Sequence, residues 1–178
     1  MGIPFNRPYL TGKESFYIQQ VLENRSFAGN GKYSRLCTQW LEKTTGCQKA
    51  ILTPSGSSAL EMMMLLAAIG PGDEVLMPSF TFTSTANSVV LRGAKPVFLD
   101  IRPDTLNLDE KLIEKAITSR TKAILPVHYA GVGCRMDVIL SIAEKHGLLV
   151  LEDAAQCILS YYKGRHLGSL GQMGALSF

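Results

Sequence analysis

The strongest constraint on this chain is an alternation. From Lys49 onward, short runs rich in Val, Ile and Leu trade places with stretches of helical periodicity. Strands are expected at residues 50–53, 74–77, 96–100, 123–127, 148–152 and 174–178. Helices are expected at 57–69, 83–92, 109–117 and 137–146, the third opened by an Asn107 or Asp109 cap. Strand runs apolar on both faces, separated by helices, predict an α/β fold: an open, mostly parallel sheet with helices on both faces. Ahead of it, residues 12–23 and 33–43 have helical spacing, joined by "SFAGNGKYS", a connector in preference to a flexible lip. The organisation expected is an N-terminal helical segment, 1–48, followed by a sheet-bearing portion, 49–178.

Composition narrows the function. Hydrophobic residues make up 46% and charged residues 19%, ordinary for a globular domain. A net charge of +3 spread over scattered basic residues argues against a nucleic-acid partner. The longest apolar run, 62–69, is too short for a membrane span, and its methionines read as core filler. Cys37, Cys47, Cys134 and Cys157 form no C-x-x-C pair, and no secretory leader is evident, which points to the cytoplasm. His128, His146 and His166 lack metal-ligand spacing, so no metal is assigned. His128 follows a strand and could line a site, whereas His146 would cap a helix C-terminus.

Parallel sheets bind ligands at the carboxyl ends of their strands, and polar loops collect there. In "TPSGSSAL" a tight turn leads into a helix whose first N–H groups, with Ser57 or Ser58, could hold a phosphate; a plain N-cap is the alternative. "LLVLEDAAQ" drives an apolar strand into two acids, and alternation sends their side chains to opposite faces. One could bond a protonated ring nitrogen. A structural ion pair with an Arg or Lys from another loop is the alternative. Phe80 or Phe82 in "PSFTFTSTAN" could stack on a flat ring or belong to the core. Phosphate cradle, stacking ring and ring-nitrogen acid together are the protein side of a pyridoxal phosphate site.

The run "TPSGSSALEMMMLLAAIGPGDEVLMPSFTFTSTANSVVLRGAKPVFLDIRPDTLNLD", with "AITSRTKAILPVHYAG", "VLEDAAQ" and "YYKGRHLGSLGQMGALSF", resembles the sugar aminotransferases of the DegT/DnrJ/EryC1/StrS family. It is most similar to the branch that converts dTDP-4-keto-6-deoxyglucose to dTDP-4-amino-4,6-dideoxygalactose for enterobacterial common antigen. The resemblance implies the fold-type-I large domain, pyridoxal 5′-phosphate, L-glutamate as amino donor, a nucleotide-sugar substrate and a homodimer. It implies that Ser57 and Ser58 hold the phosphate, Phe82 stacks on the ring and Asp153 bonds its nitrogen. Gln156 would lie near the phenolic oxygen, and Ser177 would add a hydroxyl to the phosphate. In the family the Schiff-base lysine follows a few residues beyond the position of Ser177, whereas this chain ends at Phe178. None of its ten lysines occupies that strand end, so the 178-residue chain alone is expected to be inactive. The alternatives are a sugar 3-dehydratase of the same family and a non-catalytic binding domain. Gly29, Asn30, Gly31 and Tyr33 are candidates for a nucleotide-sugar wall.

Overall fold

The computed structural model describes residues 2–3, 7–25 and 27–178; of the "SFAGNGKYS" connector, Ser26 lies outside the described residues. The apolar runs pair into a five-stranded sheet whose register is parallel throughout. Its strands are β1 (Glu74–Pro78), β2 (Lys95–Leu99), β3 (Thr121–Ile124), β4 (Leu149–Asp153) and β7 (Met173–Ala175), in the order β2-β1-β3-β4-β7. A hairpin of β5 (Tyr161–Tyr162) and β6 (Arg165–His166) stands apart. The helices are α1 (Glu14–Asn24), α2 (Lys32–Thr45), α3 (Gly56–Leu66), α4 (Thr83–Val90), α5 (Ile113–Ala116) and α6 (Met136–His146).

The pleat divides the core into two layers. Val75 and Met77 of β1 turn toward Leu60, Met63 and Met64 of α3 and Val89 of α4. Leu76, between them, turns toward Ile113 of α5 and Met136, Ile139 and Ala143 of α6. Strands covered on both faces have no polar face, hence their unbroken apolar sequence. The methionine run is core filler in part, since Met63 and Met64 are buried. Helix α1 buries no residue.

Several sequence expectations need correction. Residues 50–53 are not a strand: a strand needs a hydrogen-bonded neighbour, and this segment faces β7 across a cleft of about 690 Å³ lined by both. Ile51 and Leu52 are exposed there. The last strand ends at Ala175, leaving Ser177 in the loop beyond it. The helix expected at 109–117 splits into a 3₁₀ turn, Glu110–Leu112, and the single turn of α5, with Asp109 as the cap, its carboxylate accepting from Lys111 N–H. Gly147 terminates α6 in a left-handed conformation, and His146 instead bonds Glu114.

Close backbone approach fixes the path into β7. A Cβ on Gly174 would sit 2.1 Å from the carbonyl oxygen of Gly168, so only glycine fits. Among the described residues no helix is long and apolar enough to cross a membrane. All four cysteines are free, and burial pushes the Cys134 and Cys157 thiols up to about 12.

Candidate functional site

From β1 the chain goes to β2 on one side of the sheet and returns to place β3 on the other. The loops leaving β1 and β3 therefore diverge at their carboxyl ends, and a crevice opens between them. A cavity of about 290 Å³ occupies it. Every expected site residue except Ser58 lines this cavity: Ser57, Phe82, Asp153, Gln156 and Ser177. The candidates Gly29, Asn30, Gly31 and Tyr33 do not, and the Tyr33 hydroxyl bonds Gln20 of α1.

Helix α3 presents its amino end to the cavity. Its N-cap Ser55 is extended, and the Ser55 hydroxyl accepts from Ser58 N–H at 3.1 Å. Ser58 is thus engaged in the cap, while the N–H groups of Gly56 and Ser57 have no partner within the helix. Ser57 Oγ shares a 2.6 Å hydrogen bond with Ser84 Oγ, joining α3 to the first turn of α4. A Cβ on Gly56 would lie 3.0 Å from both Cβ and Oγ of Ser177, so the bare glycine lets Ser177 close on the helix start. Backbone N–H groups, three hydroxyls and a helix dipole make a cradle suited to a phosphate-like anion.

Phe82 is the N-cap of α4 and 72% exposed at the cavity rim, where a ring can cover a flat ligand. Phe80 is absent from the lining and packs on Tyr129, ring centroids 4.6 Å apart.

The two acids that end β4 separate as alternation requires. Asp153 lines the cavity, its Oδ2 accepting from Thr85 Oγ1 at 2.7 Å and its Oδ1 from Ala155 N–H at 3.2 Å. Burial pushes its carboxyl above the usual range, against the opposing pull of the Thr85 and Ala155 bonds. Glu152 turns away and is fully buried. It accepts from His128 Nε2 at 2.8 Å, Gly168 N–H at 2.9 Å, and Leu170 and Gly171 N–H at 2.7 Å each. Burial opposes its charge, but the His128, Gly171 and Gly168 bonds prevail and hold the carboxyl below its ordinary value. Neither acid meets an Arg or Lys among the described residues, so the ion-pair alternative for this motif fails.

His128 joins these elements. Cys134 N–H donates to its Nδ1 at 3.2 Å, which makes Nε2 the protonated nitrogen that donates to Glu152. Its own N–H bonds the Asp153 carbonyl at 3.0 Å, and Val127 bridges to Asp153, carrying sheet pairing past the end of β3. The Gln156 side-chain carbonyl accepts from Ala130 N–H at 2.6 Å, which leaves its NH₂ as the free donor. Asn107, from the loop after β2, holds the same segment by accepting from Tyr129 N–H and donating to the Val132 carbonyl.

Sequence reasoning flagged His128 but missed Thr85, Ser84 and Tyr129, all in the lining. Thr85 lies in the first turn of α4, right after the loop that leaves β1 at the sheet's carboxyl edge, and that position was the available signal. No lysine lines the cavity, and among the described residues no group of three or more His, Cys, Asp or Glu is placed to hold a metal.

Comparisons with known proteins agree with this arrangement. A family model described as the DegT/DnrJ/EryC1/StrS aminotransferase family matches residues 8–178. An aminotransferase from Psychrobacter cryohalolentis is 37% identical with a TM-score of 0.92, the match covering 98% of this chain and 45% of that one. A DegT DnrJ EryC1 StrS aminotransferase from Brucella abortus is 35% identical, TM-score 0.89, covering 94% and 46%. NtdA from Bacillus subtilis, solved with bound cofactor PMP, is 36% identical, TM-score 0.81, covering 86% and 35%. The chain thus spans less than half the length of these solved relatives. On the family match and these identities, the chain belongs to the DegT/DnrJ/EryC1/StrS aminotransferase family.

Proposed function

We propose that this chain supplies the cofactor-binding face of a pyridoxal-phosphate-dependent nucleotide-sugar aminotransferase. The observation that carries the proposal is the convergence of an anion cradle, an exposed aromatic ring and a buried carboxylate on one cavity. The residues fit the group. The N–H groups of Gly56 and Ser57, with the hydroxyls of Ser57, Ser84 and Ser177, would hold the phosphate. Phe82 would cover one ring face, Asp153 would accept from the ring nitrogen, and the Gln156 NH₂ would donate to the phenolic oxygen. When bound, pyridoxal phosphate supplies an electron-accepting ring for proton removal at the amino-bearing carbon. Asp153 would keep a proton on the ring nitrogen, and Phe82 would shield one ring face.

For the whole enzyme we propose L-glutamate as amino donor, dTDP-4-keto-6-deoxyglucose as acceptor, a homodimeric assembly, a cytoplasmic setting, and a role in enterobacterial common antigen synthesis, on the sequence resemblance. With no lysine in the cavity, this chain by itself binds and orients the cofactor without transferring an amino group.

The test is Asp153→Asn. Loss of a charge-assisted bond worth ~1.5–3 kcal/mol should weaken pyridoxal 5′-phosphate binding roughly ten- to hundredfold in equilibrium dialysis. The urea midpoint serves as the check on folding. Unchanged affinity in a folded variant refutes the assignment of Asp153.

A further inference from the structure

Asp153 is buried to 5% exposure, yet it can serve a cavity ligand only if it stays in one rotamer with a free lone pair. Two protein groups meet it. Ala155 N–H takes Oδ1, and Thr85, itself fully buried, takes Oδ2 across 68 residues of sequence. Thr85 Oγ1 in turn lies 2.8 Å from Thr81 Oγ1, in the loop just before α4. A hydroxyl has one proton to give. With Thr85 donating to the carboxylate, the Thr81 hydroxyl must be the donor to Thr85, and the row runs from Thr81 through Thr85 to Asp153. Both threonines line the cavity.

We propose that Thr85, backed by Thr81, is a positioning residue that holds Asp153 as an oriented, ionised acceptor aimed into the cavity. The inference builds on the reading of Asp153 as the ring-nitrogen partner, but its core claim concerns the protein alone. A protonated Asp153 would donate to Thr85 and reverse the row, whereas the ionised form is the one that the Thr85 hydroxyl and the Ala155 N–H both stabilise. Every other titratable neighbour leaves this task to Thr85. His128, from the β3 side, spends its Nε2–H on Glu152, and Glu152 points away on the same strand. The Cys157 thiol donates to the His128 carbonyl. Tyr129 shares the lining, and among the described residues its side chain makes no hydrogen bond to Asp153.

The experiment follows the carboxyl carbon of Asp153 by ¹³C NMR in the ligand-free chain across a pH titration. In Thr85→Val, which keeps the shape and loses the hydroxyl, the midpoint should rise by roughly one unit, a tenfold change in the proton equilibrium. Thr85→Ser, which restores the hydroxyl, should return it to the wild-type position. Thr81→Val removes only the second donor and should produce a smaller rise, and it answers the question should Thr85→Val fail to fold. A Thr85→Val midpoint at the wild-type value overturns the proposal, as does a Thr81→Val midpoint that does not move. Failure of the cofactor reading is separable, because it would show as unchanged cofactor binding in Asp153→Asn while the Thr85 titrations still shift.

Discussion

Glu152→Gln isolates a side chain that accepts four hydrogen bonds, the most of any side chain among the described residues. Oε1 of Glu152 accepts from Leu170 and Gly171 N–H, and Oε2 from Gly168 N–H and His128 Nε2. Glutamine keeps one oxygen, so whichever way the amide turns, two of these donors face an NH₂ group. If that NH₂ faces His128, the imidazole cannot escape by changing tautomer. Its Nδ1 would then carry a proton against the donated Cys134 N–H. Two buried donors left unpaired cost about 1–3 kcal/mol each, or roughly 2–6 in sum, and removing a buried charge returns part of that. The net expectation is a loss of about 2–4 kcal/mol. With a urea slope of about 2 kcal/mol/M, the middle of the usual range for a small protein, the unfolding midpoint should fall by roughly 1–2 M. Amide hydrogen exchange adds a local readout, with Gly168, Leu170 and Gly171 losing protection ahead of the β1–β3 core. A midpoint within about 0.3 M of wild type, with those amides still protected, would refute this account of Glu152 as the clip on the segment entering β7.

Two further outcomes follow from other contacts. Gly174→Ala forces a Cβ to 2.1 Å from the Gly168 carbonyl oxygen and should cost about 3 kcal/mol or more, read by urea unfolding; a near-neutral result would mean that the β7 approach is looser than described. Glu74, at the amino end of β1, is held at about 2 by the Thr118 hydroxyl at 2.6 Å and then by Arg120 at 2.7 Å. Its folded value lies below the ordinary 4.5, so its contribution is full above 4.5 and is lost as pH falls toward 2. Urea midpoints taken over that window should fall more steeply for wild type than for Glu74→Gln, and parallel curves would count against the assignment.

The strands that find partners were legible because burial on both faces leaves a direct mark on composition, as in Val75, Leu76 and Met77. Residues 50–53 have the same mark but no strand, since composition records a segment's affinity for a sheet and not the presence of a neighbour. The site was legible where chemistry is local. Ser55 to Ser57 open a helix, and the Glu152–Asp153 pair splits by alternation alone. What each acid meets was not legible. His128 and Thr85 reach them from 24 and 68 residues away, and their spacing in the sequence has no period to detect. The Lys or Arg that simple charge pairing suggested is replaced by backbone N–H groups, which no residue type announces.

The bond from Thr85 to Asp153 also bears on the order of folding. The cavity joins residues from α3 to the loop after β7, and its contacts close only after β1, β3 and β4 have docked. Local helices can form within about a microsecond, whereas contacts of such sequence separation must first meet the entropy of closing long loops. The capacity to bind should therefore be acquired late, after most secondary structure. In a refolding experiment, recovery of ligand binding would lag recovery of helical circular dichroism, making occupancy of the cavity a reporter of the last stage of assembly.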